Sequence, residues 1–120
     1  VLRPLVQGSI LELPLEDASI GFAFVSHVLE HLKHPEAALK ELRRVIRPGG
    51  ALMADVPIGS PSTISIDPEK QRDGHEWSFG PEFLDLYAEF FEKVDHSYRI
   101  TLPDGRTVKR GSPVTVCFKD

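Results

Sequence analysis

Histidine and glutamate side chains that could bind a metal or move a proton are concentrated between residues 27 and 34. His27-Val28-Leu29-Glu30-His31 matches the pattern H-x-x-E-H, and His34 follows close behind it. Two histidines four residues apart on a helix can ligate one zinc ion, with the glutamate as a general base. These residue types at this spacing make a zinc hydrolase one hypothesis. A catalytic zinc also needs a third ligand from elsewhere in the chain. No glutamate follows Glu92, so the C-terminal strands cannot supply a glutamate ligand.

An alternation of strand, helix and strand is predicted around these histidines. Phe22-Ala23-Phe24-Val25 is a continuous apolar run of strand length, which predicts a strand buried on both faces. A helix is predicted to begin at Pro35, to carry arginines in its last turn and to end at Pro48-Gly49-Gly50. Ala51 to Val56 is predicted to be the next strand, which implies two parallel strands joined by a crossover helix.

The remaining elements predict an α/β sheet that finishes with antiparallel strands. Pro57 to Gly74 shows little periodicity and is predicted to be a flap over a site. A second helix should begin at Pro81 and end near Val94. Its predicted buried stripe is Leu84, Tyr87, Ala88 and Phe91. Pro103-Asp104-Gly105-Arg106 predicts a hairpin turn. The other predicted strands are 5–10, 98–102, 107–110 and 114–118.

Length and charge narrow the function classes. The 120 residues, 41% hydrophobic, suit one domain that spans residues 1–120. A formal charge of -4 provides no general attraction to nucleic acid or to an anionic membrane. The single cysteine and the lack of a long apolar run favour a cytoplasmic protein. One basic group is interpreted as a solvated helix end, not an anion site: Lys40, Arg43, Arg44 and Arg47.

Five short segments form a sequence pattern, and their order and spacing identify a protein family more specifically than any one segment does. They are Val6-Gln7-Gly8-Ser9, Leu13-Pro14-Leu15, Phe24 to Leu32, Ala38 to Val45, and Arg47-Pro48-Gly49-Gly50. Together they resemble the C-terminal part of a class I S-adenosylmethionine-dependent methyltransferase domain of the type 11 kind. The resemblance implies a Rossmann-like sheet with its N-terminal strands missing. Because these segments include and flank H-x-x-E-H, we interpret that motif as a coincidence of spacing and predict no metal.

The resemblance also implies a cofactor, S-adenosylmethionine, and residues that contact it. The adenine ring would lie against Ser9, Ile10 and Leu11, and the methionine portion beside Ser26 and His27. Ser9 stands where the family usually has an acidic residue, and Gly21 stands where it has an aspartate. The chain contains no G-x-G, the turn that lets a backbone approach the cofactor closely.

Methyl transfer to a small-molecule acceptor is the activity that the resemblance implies. This reaction is an in-line displacement from a sulfonium, so the enzyme mainly positions the reactants and, where the acceptor carries a proton, supplies a base. The candidate bases are His27, His31 and His75. His27 and His75 are favoured, because sites in such sheets lie outside the carboxyl ends of the strands.

The strand at Phe22 to Ser26 would be an open edge if the family's first strand, its neighbour, is missing. An exposed apolar edge is a template for pairing, which predicts a homodimer through this strand. The same features allow a second function class. Without a G-x-G, and with Ser9 and Gly21 at altered positions, the chain could be a degenerate methyltransferase-like module that acts by protein–protein interaction.

Overall fold

A computed structural model describes residues 7–71 and 74–120. Its strands are β1 (Ile20–Ser26), β2 (Ile46–Asp55), β3 (Ile64–Ser65), β4 (Trp77–Ser78), β5 (Lys93–Thr101) and β6 (Thr107–Phe118). Its helices are α1 (Pro35–Val45) and three 3₁₀ segments, Leu29–His31, Pro68–Lys70 and Pro81–Glu89. The main sheet has the order β1-β2-β6-β5, with β1 parallel to β2 and the other neighbours antiparallel. Within this described part of the chain, no helix is long and apolar enough to cross a membrane.

One face of the main sheet is packed, and the other carries exposed aromatic side chains. Val25 of β1 pairs with Ala54 of β2, and both are buried in the core together with residues of α1 and of Pro81–Glu89. Phe22 and Phe24 point to the opposite face and are 56% and 61% exposed. The prediction that this strand is buried on both faces is therefore wrong for the described residues, because both helical segments pack into the same core.

Helix α1 begins where the sequence predicts but ends earlier. Pro35 lies in its first turn and Arg44 in its last turn, and β2 starts directly at Ile46 instead of after the two glycines. The glycines lie inside an irregular first half of β2. A Cβ atom on Gly50 would lie 2.7 Å from the Gly21 carbonyl oxygen. Glycine is thus required there because β1 and β2 approach closely.

The segment after the flap is the 3₁₀ helix Pro81–Glu89, not the α-helix predicted to reach Val94. Leu84 and Tyr87 are buried as predicted, but Ala88 is exposed. A 3₁₀ helix has three residues per turn, so positions 84 and 87 share a face and position 88 turns away from it. Val94 belongs to β5.

The C-terminal strands form the predicted antiparallel hairpin. β5 and β6 are joined at the predicted turn, where the Leu102 N–H donates to the Arg106 carbonyl over 2.7 Å. The strands predicted at 107–110 and 114–118 are one continuous strand, β6. The strand predicted at 5–10 begins outside the described residues, and its described part forms a turn with a single bridge between Ser9 and Glu12.

The predicted flap and the residues that follow it as far as Phe79, together called the flap, contain short regular elements and are anchored to the core. β3 and β4 pair as an antiparallel ribbon. The N–H groups of Gly59 and Ser60 both donate to the Phe79 carbonyl, at 3.0 and 3.2 Å. The Phe79 side chain is buried and stacks on Phe83. The end of the flap therefore has a fixed position relative to the main sheet.

Candidate active site

His27 follows β1 at the edge where the carboxyl ends of β1 and β2 meet. Its N–H donates to the Asp55 carbonyl at the end of β2, over 3.1 Å. Its backbone is left-handed, with φ +54°, a conformation that is uncommon for residues with a side chain. The imidazole is 57% exposed. The structure thus places His27 outside the strand ends, where ligands of such sheets bind.

Glu30 is a buried carboxylate beside this position. It lies in the 3₁₀ turn Leu29–His31, and its side chain is completely buried. Its Oε1 atom is 3.8 Å from His27 Nδ1 and 3.6 Å from His31 Nε2. Neither carboxylate oxygen has a hydrogen-bond partner among the described residues. Buried polar groups are nearly always paired, so Glu30 is a candidate functional group.

The end of the flap packs on the turn that carries Glu30. The Glu76 N–H donates to the Glu30 carbonyl over 2.8 Å. The Trp77 indole N–H donates to the Leu32 carbonyl over 2.7 Å. These two bonds hold the flap against the turn that follows β1. That the flap covers a site stays a prediction.

The docked flap brings two of the three candidate bases together. The rings of His31 and His75 are 4.6 Å apart between centroids and nearly perpendicular. His31 Nδ1 lies 3.1 Å from the Gly74 carbonyl oxygen. Ligating atoms of His31, His75 and Glu30 all lie within 4.8 Å of one another. His27 also lies near Glu30 but is not part of this group.

Asp55 and Arg110 also belong to this site, although sequence reasoning did not select them. The Asp55 side chain is almost buried, and its Oδ2 accepts a hydrogen bond from Arg110 Nη2 over 3.2 Å. The same oxygen is 3.9 Å from His27 Nε2. An acidic residue that ends an apolar strand was the signal available for Asp55. Arg110 had no local signal, because only the pairing of β6 with β2 brings it near.

The H-x-x-E-H residues do not share one helical face. His27 has a left-handed backbone, and only Leu29–His31 is helical. This geometry argues against the zinc hydrolase alternative, which needs His27 and His31 as a helical i,i+4 pair. Among the described residues the group that could hold a metal is instead Glu30, His31 and His75, whose ligating atoms lie within 4.8 Å of one another.

A groove of about 660 Å³ runs beside β1, in the size range of ligand pockets. Ile10 and Ser26, both predicted to contact the cofactor, line it. Leu11 is 48% exposed and lies beside α1 instead. Ser9 is exposed, and its hydroxyl accepts a hydrogen bond from the Leu11 N–H over 3.1 Å. The structure therefore brings Ile10 and Ser26 into one groove, and Ser9 and Leu11 do not line that groove.

Arg44 anchors the loop that forms one wall of this groove. Its guanidinium donates to the carboxylates of Glu41 and Asp17 and to the carbonyls of Leu13 and Leu15. The Leu13 N–H also donates to Glu41. Leu13 and Leu15 line the groove. The interpretation of the basic group as a solvated helix end is thus wrong for Arg44, which bonds the loop to α1.

Acid should weaken this anchor. The hydrogen bond from Arg44, with that from the Leu13 N–H, lowers the pKa of Glu41 from 4.5 to about 2. A pKa lowered by folding contributes stability that is present above the unfolded value and is lost as the pH falls through the folded value. We expect Glu41→Gln to be less stable than wild type at pH 7, and the difference to shrink between pH 4.5 and about 2.

Urea unfolding at each pH measures this difference. Glu36→Gln, at an exposed position of the same helix, serves as the control and should show little change at any pH. A difference between wild type and Glu41→Gln that stays constant across this range would contradict the role assigned to the Glu41 carboxylate.

Sequence comparison matches a part of the chain, less than half of it, to a known family. Residues 2–54 match the family model described as a methyltransferase domain. A probable S-adenosylmethionine-dependent methyltransferase of Mycolicibacterium smegmatis is 36% identical over 61 residues, which are 51% of this chain and 22% of that protein. The chain spans less than a quarter of the length of the first curated relatives that it matches.

Structure comparison matches the fold of nearly the whole chain to solved structures. A Thermotoga maritima S-adenosylmethionine-dependent methyltransferase, described as a possible histamine N-methyltransferase, has a TM-score of 0.72 at 21% identity, over 96% of this chain and 63% of that one. The 1,6-didemethyltoxoflavin-N1-methyltransferase of Burkholderia thailandensis has a TM-score of 0.69 at 22% identity, over 96% of this chain and 50% of that one. These structures show the fold, a Rossmann-like α/β sheet. Together with the family match over residues 2–54, they make the chain similar in sequence and in fold to part of an S-adenosylmethionine-dependent methyltransferase domain.

Proposed function

We propose that this chain supplies the C-terminal part of a domain that transfers a methyl group from S-adenosylmethionine to a small-molecule acceptor. The observation that carries the proposal is the cluster of His27, Glu30 and Asp55 at the strand ends, with Ser26 lining the adjacent groove. A methyltransferase whose acceptor carries a proton needs a cofactor site and a proton-accepting group side by side. The residues of this edge would line the cofactor site and accept the proton.

His27 is the residue to which we assign proton acceptance. Its ring is exposed enough to reach an acceptor, and carboxylates of Asp55 and Glu30 lie on its two sides. Both would stabilise the imidazolium that forms when His27 takes the acceptor's proton. The acceptor's N–H or O–H bond breaks as its lone pair attacks the methyl carbon, and the electrons of the sulfur–carbon bond return to sulfur. His31 and His75 form the wall of the acceptor site on the far side of Glu30.

The groove beside β1 is the part of the cofactor site that we assign to this chain. Ile10 would lie against the adenine ring, with Ser9 and Leu11 supporting it through the turn that they share. Ser26 and His27 would lie beside the methionine portion. The Burkholderia neighbour contains S-adenosylhomocysteine, which supports a cofactor of this kind on the shared fold.

A small molecule is the class of acceptor that fits best. The Burkholderia neighbour is described with bound 1,6-didemethyltoxoflavin, and the Thermotoga neighbour as a possible histamine methyltransferase. The formal charge of -4 gives no general attraction to nucleic acid. These observations support a compact acceptor rather than a nucleic acid.

Titration with S-adenosylhomocysteine tests the cofactor assignment. We expect the 120-residue chain, or its dimer, to release heat with a dissociation constant near 1 μM, about -8 kcal/mol. Ser26→Trp should remove this heat by filling the groove, whereas Ser97→Trp, on exposed β5, should not. No heat at high ligand from folded protein would overturn the assignment for this chain and favour a partner-binding module.

The exposed face of β1 is the surface that we assign to self-association. Phe22 and Phe24 lie on an edge strand and are more than half exposed. In the complete protein we propose that upstream residues of the same domain cover this surface. In the 120-residue chain a second copy should take their place, because an apolar edge favours pairing.

Size-exclusion chromatography with light scattering measures this association. We expect a dimer at micromolar concentration, and a shift to monomer in Phe24→Lys, which puts a charge on the edge. Val108→Lys, at an exposed position of β6, is the matched control. A stable dilute wild-type monomer would count against the assignment.

A further inference from the structure

We infer that Glu30, His31 and His75 form a binding site for a divalent transition-metal ion, with Zn²⁺ as the best match. The inference rests on two observations. One is the geometric grouping of the three side chains, whose ligating atoms lie within 4.8 Å of one another. The other is the buried Glu30 carboxylate, which has no hydrogen-bond partner among the described residues. The site combines two adjacent residues of a 3₁₀ turn with one residue of the flap.

The hydrogen bond of His31 prepares its other ring nitrogen to be a ligand. A backbone carbonyl can only accept, so Nδ1, which lies 3.1 Å from the Gly74 oxygen, must carry the proton. In the neutral imidazole, Nε2 is then left with a free lone pair. Histidines that bind metals usually donate the other ring N–H to a carbonyl or a carboxylate in this way.

The lone pair of His31 faces the Glu30 carboxylate. Nε2 and Oε1 are 3.6 Å apart, too far for a hydrogen bond and close enough for a shared cation. A buried carboxylate that faces a second acceptor is unfavourable unless a positive charge lies between the two, although the His31 ring itself is partly exposed. A metal ion supplies that charge and satisfies a carboxylate that the described residues leave unpaired.

His75 completes the set because the flap approaches closely at Gly74. Gly74 has φ +72°, and a Cβ atom there would lie 3.4 Å from His31 Nδ1. Glycine therefore permits the sharp turn that places the His75 ring against the His31 ring. The flap bond from the Glu76 N–H to the Glu30 carbonyl holds this arrangement in place.

The ligand set selects the class of metal. Imidazole nitrogens suit Zn²⁺, Cu²⁺, Fe²⁺ and Ni²⁺, whereas Mg²⁺ and Ca²⁺ prefer sites built from oxygen alone. Two histidines and one glutamate are a known zinc set that leaves a coordination position open. If the proposed methyl transfer is correct, a metal there would polarise an acceptor oxygen, a role that rests on that proposal.

Calorimetric titration of chelator-treated protein with ZnCl₂ tests the site directly. We expect one Zn²⁺ per chain, and a rise in unfolding temperature with added Zn²⁺ because only the folded chain presents the site. His75→Gln and His31→Gln should weaken binding by more than the roughly 10- to 100-fold that loss of an outer partner costs. His34→Gln, at an exposed position near the site, should bind like wild type.

Two further variants make the test decisive. His27→Gly should keep Zn²⁺ binding, since His27 is outside the ligand set. If His27→Gly abolished Zn²⁺ binding and His75→Gln did not, the two histidines of H-x-x-E-H would be the ligands and the inference would be wrong. Glu30→Gln should weaken binding, but if that buried variant fails to fold, His75→Gln on the flap still decides. The inference is overturned by no saturable binding to wild type, or by equal binding to His75→Gln. Neither result depends on S-adenosylhomocysteine, so this test and that of the proposed function can fail separately.

Discussion

Replacing Glu30 by methionine should make the fold more stable, by about 1 to 3 kcal/mol in the presence of a metal chelator. The Glu30 side chain is fully buried and both of its carboxylate oxygens lack a partner among the described residues. Methionine has a similar length, has no charge to desolvate and adapts to irregular space. Most substitutions of buried residues destabilise a protein, so a gain here would be diagnostic.

Urea unfolding of Glu30→Met, Glu30→Gln and Glu36→Met distinguishes the effect of removing the buried polar group from a general effect of substitution by methionine. Glu30→Gln retains a buried polar group, so we expect a smaller gain than from Glu30→Met. Glu36→Met, at an exposed position of α1, should change stability by no more than about 0.5 kcal/mol. If Glu30→Met instead lowered stability, the carboxylate would have to be well paired in the folded protein, contrary to the geometry.

A gain in stability from Glu30→Met would also indicate that Glu30 belongs to a functional site. Residues kept at a cost to folding are typically those that a site needs. Glu30 lies between His27 and His31, and its backbone carbonyl also receives the flap through Glu76. We therefore expect Glu30→Met to lose Zn²⁺ binding while it gains stability.

The sequence pattern correctly predicted those elements that are determined by residues close together in the chain. Helix α1 begins at Pro35 as predicted, because its first-turn proline and its apolar spacing are properties of eleven consecutive residues. The β5–β6 hairpin follows in the same way from its turn residues. The Rossmann-like class was predicted from the resemblance, and the structural neighbours confirm it.

Predictions failed where the decisive contact comes from distant sequence. The Pro81–Glu89 segment has the apolar content of an α-helix, yet it is a 3₁₀ helix packed on the sheet. From the sequence, Arg44 is expected to be a solvated residue at a helix end. Its partners Leu15 and Asp17 lie in the loop before β1, far from Arg44 in sequence. His31 and His75 are likewise far apart in sequence, so no spacing rule could pair them. The residue types were visible in the sequence, but their juxtaposition was not.

His27→Gly should remove most of the proposed methyl transfer without disturbing the backbone. The His27 backbone has φ +54°, which glycine adopts without strain, so the fold should be as stable as wild type or more so. Loss of a general base typically lowers kcat by about 10²- to 10⁴-fold. The measurement is release of S-adenosylhomocysteine by the complete protein, with the best acceptor from a panel of small amines and phenols.

Chemical rescue distinguishes a base from a structural residue in this variant. Removal of the ring leaves space between Asp55 and Glu30, and added imidazole should enter it and restore part of kcat. His34→Gln should keep wild-type activity, because His34 is exposed and contacts Glu36 instead. If His27→Gly lost affinity for S-adenosylhomocysteine and imidazole restored nothing, His27 would hold the cofactor rather than the proton. The base would then have to be sought at His75, the other favoured histidine, which the flap places beside the same carboxylate.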